Sequence, residues 1–297
     1  MAKRITPRVL GEERARFDRV ESVALGRLKR GRFRVDADGG RFDCVLSRGR
    51  GRLFVLLSGG SNRGPGVELP RFQRWKWARD FPGHVLLVAD PTLHLADDLG
   101  LGWYVGPAES DWTRTLARLV SRVADELDVP SEEVVYYGSS SGGFAAIAAA
   151  CRTTASGAIA INPQTDVLRY HPIAVRRLLD ACFPGTSAED FPESVHRERL
   201  LATGICDTSP GRRIVIAQNV EDRVHFELHF TPFCEHFGIP TDGGLSPDGT
   251  KASLLFENER GHVAAEPREI LPRLLSRYEE LSPLPDQPSP AAASQPD

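Results

Sequence analysis

The sequence lacks the features of a disulfide-stabilised, membrane-spanning or nucleic-acid-binding protein. Its five cysteines are odd in number and scattered, with no C-x-x-C pair, which argues against a disulfide framework and a zinc site and favours reduced thiols. No apolar run approaches the ~20 residues of a membrane span. Residues 1–7 lead into charged sequence and not an apolar signal core, so we expect a cytoplasmic protein. The net charge of −3 gives no support to nucleic-acid binding.

What the sequence does contain is typical of a globular protein. With 297 residues, 41% of them hydrophobic, it can bury a substantial core. Residues 111–128 carry apolar side chains at three- and four-residue steps, which predicts an amphipathic helix. Apolar runs of strand length lie at residues 53–57, 84–90, 157–161, 213–217 and 253–257. The alternation of strands and helices predicts an α/β fold with a mostly parallel central sheet and helices on both faces.

Changes in composition divide the chain. We expect one large domain over residues 31–281, preceded by an extension over 1–30 in which residues 10–28 can include a helix. Residues 167–210 form a polar, Pro-interrupted insertion with helical patches at 173–181 and 188–200, too long for a simple connection. The insertion is either a lid over a site or an extra packing layer. The Pro- and Ala-rich tail, 282–297, is predicted to be disordered.

The most informative stretch lies at residues 134–150. A β-favouring run, 134–137, enters Gly138-Ser139-Ser140-Ser141-Gly142 and then an alanine-rich helix. This strand, tight turn and helix would place Ser140 at the apex of the turn, with its Oγ raised above the sheet edge. Gly138 and Gly142 stand where a Cβ would collide as the strand and helix close together. The backbone N–H of Ser141 would point toward an oxyanion formed beside Ser140.

Other candidate site residues follow the ends of other predicted strands. The loop 58–61 is glycine-rich, and Gly60, or else Ser61, would supply a second oxyanion donor. Asp222 follows the strand at 213–217, and His262 follows the last strand, with a glycine before it that frees the backbone. Because the carboxyl ends of parallel strands meet at one edge, we expect these groups to lie together. Asp166 is the rival acid. His225 and His229, close after Asp222, either contact substrate or lie at the surface, and we expect them at the surface.

Four motifs carry a resemblance to a known family: Leu-Ser-Gly-Gly at 57–60, Gly-Ser-Ser-Ser-Gly-Gly at 138–143, Glu-Asp-Arg-Val at 221–224 and Gly-His at 261–262. Over residues 31–281 the chain resembles the α/β-hydrolase superfamily. The resemblance implies that Ser140 is the nucleophile, Asp222 the acid and His262 the base. Ser58 departs from the pattern, since many members have a histidine there. Residues 136–143 and 162–166 are more faintly similar to hydrolase-like bacterial proteins of surface-glycan assembly, including accessory-secretion acetyltransferases.

The expected function is that of a serine hydrolase. Such an enzyme cleaves an acyl ester or related acyl bond through a Ser-His-Asp triad and an acyl-enzyme, here on a small-molecule or glycan-linked substrate. This chemistry requires no cofactor and no metal. Two alternatives stay open. The same triad can transfer an acyl group to a sugar or another alcohol, or the fold can serve as a non-catalytic binding protein.

Overall fold

The computed structural model describes residues 11–26, 28, 30–61, 63, 67–264 and 266–282. The predicted disordered tail, apart from its first residue, lies outside them. Ten strands are present in the described residues: β1 (Glu13–Phe17), β2 (Arg30–Ala37), β3 (Gly40–Ser47), β4 (Leu53–Leu57), β5 (His84–Val88), β6 (Val134–Ser139), β7 (Gly157–Ile161), β8 (Arg213–Asn219), β9 (Gly244–Leu245) and β10 (Lys251–Phe256). The α-helices are α1 (Trp112–Asp125), α2 (Ser141–Arg152), α3 (Pro172–Cys182), α4 (Ala202–Asp207), α5 (Arg223–His225), α6 (Thr231–Phe237) and α7 (Leu271–Glu279).

The strands form one sheet in the order β1-β2-β3-β5-β4-β6-β7-β8-β10-β9. The six strands from β5 to β10 along this order are parallel, whereas β3 is antiparallel to both β2 and β5, and β9 is antiparallel to β10. The central strands β4, β5, β6 and β7 are buried at every residue, as their continuous apolar runs require. The predicted α/β fold with a mostly parallel sheet is confirmed.

Helices cover both faces of the sheet. The amphipathic helix α1 and the alanine-rich helix α2 belong to the larger apolar core on one face, together with α3 and α4. The small side chains of α2 let this helix lie close against the sheet, and it packs on β6 and β7. On the other face, α7 and the short helical turn Trp75–Asp80 close a second apolar core. Within the described residues, no helix is long and apolar enough to cross a membrane.

Two local expectations hold only in part. Among the described residues of 10–28 the helical segment is a short 3-10 turn, Val20–Ser22, while residues 13–17 form the edge strand β1, which pairs parallel to β2. Their sequence alternates polar and apolar residues, and Phe17 packs edge-to-face on Phe33, as a strand with one packed face requires. In the insertion, α3 matches the first predicted helical patch, but the second contains only short turns, Phe191–Glu193 and Arg197–Leu200.

Candidate active site

Ser140 lies between the end of β6 and the start of α2, in a backbone conformation with φ +57° and ψ −126° that few non-glycine residues adopt. The turn is closed so tightly that a Cβ on Gly138 would lie 2.2 Å from the carbonyl oxygen of Gly142. A Cβ on Gly142 would lie 2.7 Å from the Leu57 oxygen. Glycine is therefore required at both flanks, and the turn lifts the Ser140 side chain to the carboxyl edge of the sheet.

The structure brings together the three residues of the predicted triad. Ser140 Oγ lies 3.0 Å from His262 Nε2, and His262 Nδ1 lies 2.7 Å from Asp222 Oδ2. Asp222 follows β8 and His262 follows β10, so the ends of three parallel strands, β6, β8 and β10, supply the three groups. Asn219 joins the two loops, because its side-chain amide donates to the carbonyl of Gly261 at 3.3 Å. This geometry can pass a proton from the serine hydroxyl to the imidazole.

Asp222 is a buried carboxylate with two imidazole partners. Burial alone would raise its pKa, but the hydrogen bonds from His225 and His262 outweigh this and hold the pKa of Asp222 well below its usual range. The group is therefore an anion at neutral pH. The rival acid, Asp166, is elsewhere: its carboxylate accepts from the Leu168 N–H at 3.1 Å and pairs with Arg197 at 2.9 Å.

The loop after β4 lies against the nucleophile, since a Cβ on Gly59 would come within 3.6 Å of the Ser140 Cβ. Among the described residues, no hydrogen bond occupies the N–H of Gly60 or Ser141, the two predicted oxyanion donors. The alternative donor, Ser61, is already used, because its N–H donates to the Gly100 oxygen at 2.8 Å. The arrangement leaves Gly60 and Ser141 able to bind an oxyanion beside Ser140.

Side chains fix the position of this loop. Gln73 accepts from the Gly59 N–H at 2.9 Å and donates to the Gly60 oxygen at 3.1 Å. Ser58, which departs from the family pattern, accepts from the Gln73 N–H through its hydroxyl at 3.2 Å. Tyr104 is buried, and its hydroxyl accepts from the Ser58 N–H at 2.7 Å. Donors held in this way need no rearrangement when charge develops.

His225 and His229 are buried, 4% and 0% exposed, so the expectation that they lie at the surface was wrong. Asp222 caps the helical segment that begins at Arg223, and one helical turn brings His225 back beside the cap. His225 Nδ1 lies 3.0 Å from Asp222 Oδ1. Its ring stacks on that of His262, with centroids 3.9 Å apart and planes at 7°. The sequence signal that could have placed His225 in the site was its spacing of three residues from Asp222.

Gln164 is a second site residue that the sequence analysis missed. Its Nε2 lies 2.7 Å from Ser140 Oγ and 3.0 Å from His225 Nε2, and its Oε1 accepts from the indole N–H of Trp103 at 3.1 Å. All four side chains are buried. The available signal was its position: residues 162–166 follow β7, whose carboxyl end lies beside that of β6.

A pocket of about 410 Å³ opens above Ser140. Its wall includes a buried ion pair, Arg74 with Glu266, whose side chains are 6% and 4% exposed and 2.7 Å apart. Arg74 also donates to the Leu57 oxygen at 3.0 Å, at the end of β4. The remaining lining residues are Gly59, Gly60, Gln73, Trp77, Leu101, Ser139, Tyr170 and His262. The pocket is large enough for a small acyl donor.

Asp222, His225 and His262 also offer ligand atoms within 4.8 Å of one another, the kind of grouping that can hold a metal ion. In this structure each imidazole instead directs a nitrogen at its own carboxylate oxygen, at 3.0 and 2.7 Å. Those are hydrogen-bond distances, and a shared ion would have to replace both contacts. The geometry therefore favours proton transfer over metal binding.

The fold can now be compared with known proteins. No family model matches the chain, and no curated protein matches it either. Solved structures do match. A variant of the capsule O-acetyltransferase of Neisseria meningitidis serogroup A, in complex with CoA, has a TM-score of 0.56 at 15% identity, covering 84% of this chain and 92% of that one. An S-formylglutathione hydrolase from Agrobacterium tumefaciens has a TM-score of 0.53 at 15% identity, and the match covers 85% of this chain and 95% of the hydrolase.

A puromycin hydrolase is similar over part of its length. It has a TM-score of 0.60 at 18% identity and covers 84% of this chain, but this chain spans 39% of it. Together with the strand order, these likenesses establish that the chain has the α/β-hydrolase fold, as the sequence predicts. The fainter resemblance to glycan-associated acetyltransferases is matched by the capsule O-acetyltransferase.

Proposed function

We propose that the protein is a serine hydrolase that cleaves an acyl ester through a Ser140–His262–Asp222 triad. The observation that carries the proposal is the unbroken chain of contacts from Ser140 Oγ through His262 to Asp222, at 3.0 and 2.7 Å. The conformation of Ser140 and the unoccupied N–H groups of Gly60 and Ser141 support it further. A non-catalytic protein would have no need for this geometry.

The first half of the reaction forms the acyl-enzyme. His262 Nε2 removes the proton of Ser140 Oγ as the oxygen attacks the acyl carbonyl. The carbonyl oxygen becomes an oxyanion, which the N–H groups of Gly60 and Ser141 stabilise by about 3 kcal/mol each. His262 then gives its proton to the leaving alkoxide, the ester C–O bond breaks, and the alcohol departs. Asp222, held as an anion, stabilises the intermediate imidazolium.

The second half transfers the acyl group to an acceptor. His262 takes a proton from water, the hydroxide oxygen attacks the acyl carbon, and the bond to Ser140 Oγ breaks as His262 returns the proton to that oxygen. An alcohol can replace water in this step without any change in the groups that act. Hydrolysis and acyl transfer therefore differ in the acceptor and not in the triad.

Acyl transfer to an alcohol is the second candidate function. It is favoured by the similarity to a capsule O-acetyltransferase, which this chain covers almost completely. The polar groups in the wall of the pocket, Gln73 and the Arg74–Glu266 pair among them, suit a hydroxylated acceptor. An acetyl thioester such as acetyl-CoA would then be the donor, since the solved relative was bound to CoA.

We also propose that the segment 167–210 acts as a lid on this site. Its Tyr170 lines the pocket and packs 5.9 Å from Trp103 and 5.7 Å from His225. The pair of Asp166 and Arg197 ties the start of the segment to its later part. Tyr170→Ala should raise KM for an acyl donor with a smaller effect on kcat. An unchanged KM would contradict the lid assignment.

The test of the proposed function follows p-nitrophenol and acetate release from p-nitrophenyl acetate, with and without added sugars or glycerol. A hydrolase releases the two products in equal amounts, whatever the acceptor. An acyltransferase needs the acceptor and yields its acetyl ester. In either case His262→Ala should lower turnover by about 10⁴-fold or more, as loss of a triad member does. Wild-type turnover no higher than that of His262→Ala would rule out both candidates.

A further inference from the structure

The triad is part of a closed ring of hydrogen bonds. From Ser140 the ring runs through His262 to Asp222 Oδ2, and from Asp222 Oδ1 through His225 to Gln164, which returns to Ser140 Oγ. All five contacts lie between 2.7 and 3.0 Å. Four of the five residues are less than a tenth exposed. A plain Ser-His-Asp triad accounts for only two of these five contacts.

Trp103 fixes the direction of the hydrogen bonds that Gln164 and His225 make in the ring. An indole N–H can only donate, so the atom of Gln164 that faces it is the amide oxygen, 3.1 Å away. The Gln164 amide nitrogen then points at Ser140 Oγ and at His225 Nε2 and donates to both. Because His225 Nε2 accepts, its proton lies on Nδ1, where it donates to Asp222.

The same reasoning fixes the protons of the triad itself. Asp222 is an anion and can only accept, so neutral His262 carries its proton on Nδ1, directed at Asp222. Its Nε2 then accepts from the serine O–H, while Ser140 Oγ accepts from Gln164. This is the tautomer that a general base requires. The donor-only side chain of Trp103 and the acceptor-only carboxylate of Asp222 together set this proton arrangement.

We propose that Gln164 is a catalytic residue and that His225 is a positioning residue of this site; the inference rests on the proposed acyl-transfer function. The Gln164 N–H contacts the reacting oxygen, and its hydrogen bond strengthens as Ser140 Oγ gains negative charge during attack. The same N–H assists the second half-reaction, in which Ser140 Oγ is the leaving group. His225 acts through Asp222 and His262.

His225 positions its two neighbours in different ways. Its Nδ1–H holds one carboxylate oxygen of Asp222 so that the other faces His262, and its ring supports the His262 ring face to face at 3.9 Å. A neutral ring is needed there, since a second cation would oppose the imidazolium that His262 becomes. Burial keeps the ring neutral, because it lowers the pKa of His225 although the Asp222 carboxylate acts to raise it.

Four variants test the proposal kinetically. Gln164→Met keeps the side-chain volume without the donors, and Gln164→Glu keeps the acceptor that Trp103 needs. His225→Phe keeps the stacked ring but loses both hydrogen bonds. Each should lower kcat by about 10- to 100-fold with little change in KM, the effect of one hydrogen bond to a charged group. The double variant Gln164→Met/His225→Phe should lose little more than the worse single one, because the two act as one unit.

Matched controls come from the same segments. Thr165→Val removes a buried hydrogen bond, to the His229 oxygen at 2.8 Å, from the residue next to Gln164. His229→Phe replaces a buried histidine one turn beyond His225. Both should keep the kcat of the wild type. An active wild type with Gln164→Glu, Gln164→Met and His225→Phe at the same kcat would overturn this inference alone, whereas an inactive wild type would overturn the proposed function as well.

A spectroscopic measurement tests the proton arrangement without turnover. Nitrogen-15 NMR of histidine-labelled protein at pH 7 should show His225 neutral, with its proton on Nδ1 and Nε2 unprotonated. In Gln164→Glu, a carboxylate faces His225 Nε2, and a proton should appear on that nitrogen. A wild-type His225 protonated on Nε2 would mean that the Gln164 amide is reversed, and it would overturn the proposal.

Discussion

At the scale of single residues, the proposed mechanism depends on which carboxylate accepts the hydrogen bond from His262 Nδ1. Asp222 has the contacts and the lowered pKa of a working triad acid, whereas Asp166 is a helix cap paired with Arg197. The sequence placed both at the ends of neighbouring strands and favoured Asp222 through the Ser-Asp-His order, with Asp166 as the rival. Only the distances in the folded chain separate the two.

Replacing each acid in turn tests this assignment. Asp222→Asn should lower kcat by about 10⁴-fold, because the amide can hold His262 in the wrong tautomer. Asp166→Asn is the matched control and should keep the wild-type kcat, since it breaks only the ion pair with Arg197. Steady-state kinetics on p-nitrophenyl acetate check both. A larger loss for Asp166→Asn than for Asp222→Asn would reverse the assignment.

At the scale of elements, the junction of β6 and α2 imposes the reactive conformation of Ser140. A side chain at Gly138 would meet backbone at 2.2 Å, and backbone cannot rotate away as a flexible side chain can. Gly204 in α4 offers a comparison, because the nearest atom to a Cβ there is a Leu201 side-chain carbon at 3.6 Å. The two positions separate a required glycine from an incidental one.

Alanine substitution tests this contrast. Gly138→Ala should lower the free energy of unfolding by about 3 kcal/mol or more, at the upper end of the range for overpacked sites. Gly204→Ala should leave it unchanged or raise it by up to about 1 kcal/mol, since alanine favours helix. Urea unfolding followed by circular dichroism measures both. Equal effects would show that the turn is not as tightly closed as the structure has it.

The Arg74–Glu266 pair links the loop before β5 to the segment before α7 inside the pocket wall. Arg74→Met should lower the free energy of unfolding by about 3–5 kcal/mol, because it leaves Glu266 buried without its cation. Adding Glu266→Gln should restore part of the lost free energy of unfolding.

Arg268→Met is the matched control. It breaks an exposed ion pair with Asp80 and should lower the free energy of unfolding by under about 1 kcal/mol. Urea unfolding gives all three values, and similar losses for Arg74→Met and Arg268→Met would contradict the account.

The sequence could predict most elements because their signals are local. Continuous apolar runs predicted β4, β5 and β7, and three- and four-residue steps predicted α1. The strand-glycine-serine-helix pattern likewise predicted the turn at Ser140. What could not be predicted depends on distant partners. From the sequence alone, Gln164 is a loop residue and His225 is a surface residue. Only the fold places Gln164 beside Trp103 and the His225 ring beside the Asp222 carboxylate. The edge strand β1 is defined by its pairing with β2.

At the scale of the whole molecule, the buried histidines His225 and His229 couple folding to pH. Burial lowers the pKa of His225, and it lowers the pKa of His229 to about 3. In the unfolded chain both titrate near about 6.5. Below that pH the unfolded state binds more protons than the folded state, so the free energy of unfolding falls as the pH decreases.

His229 allows a direct test of this coupling. Wild-type protein should lose stability steadily from about pH 6.5 toward pH 4, by at most about 3 kcal/mol for this histidine. His229→Phe should flatten the decline, whereas His236→Phe, at an exposed position, should not. Urea unfolding at several pH values compares the three slopes. An unaltered slope in His229→Phe would show that its burial does not govern acid stability.

The central claim is that the fold activates Ser140 as a nucleophile, and labelling with a fluorophosphonate probe tests it most directly. The wild type should react at one serine, and mass spectrometry of the labelled peptide should place the adduct on Ser140 and not on Ser139 or Ser141. Ser140→Ala and His262→Ala, both folded by circular dichroism, should stay unlabelled. Folded wild-type protein that does not react, or that reacts equally after Ser140→Ala, would contradict the account.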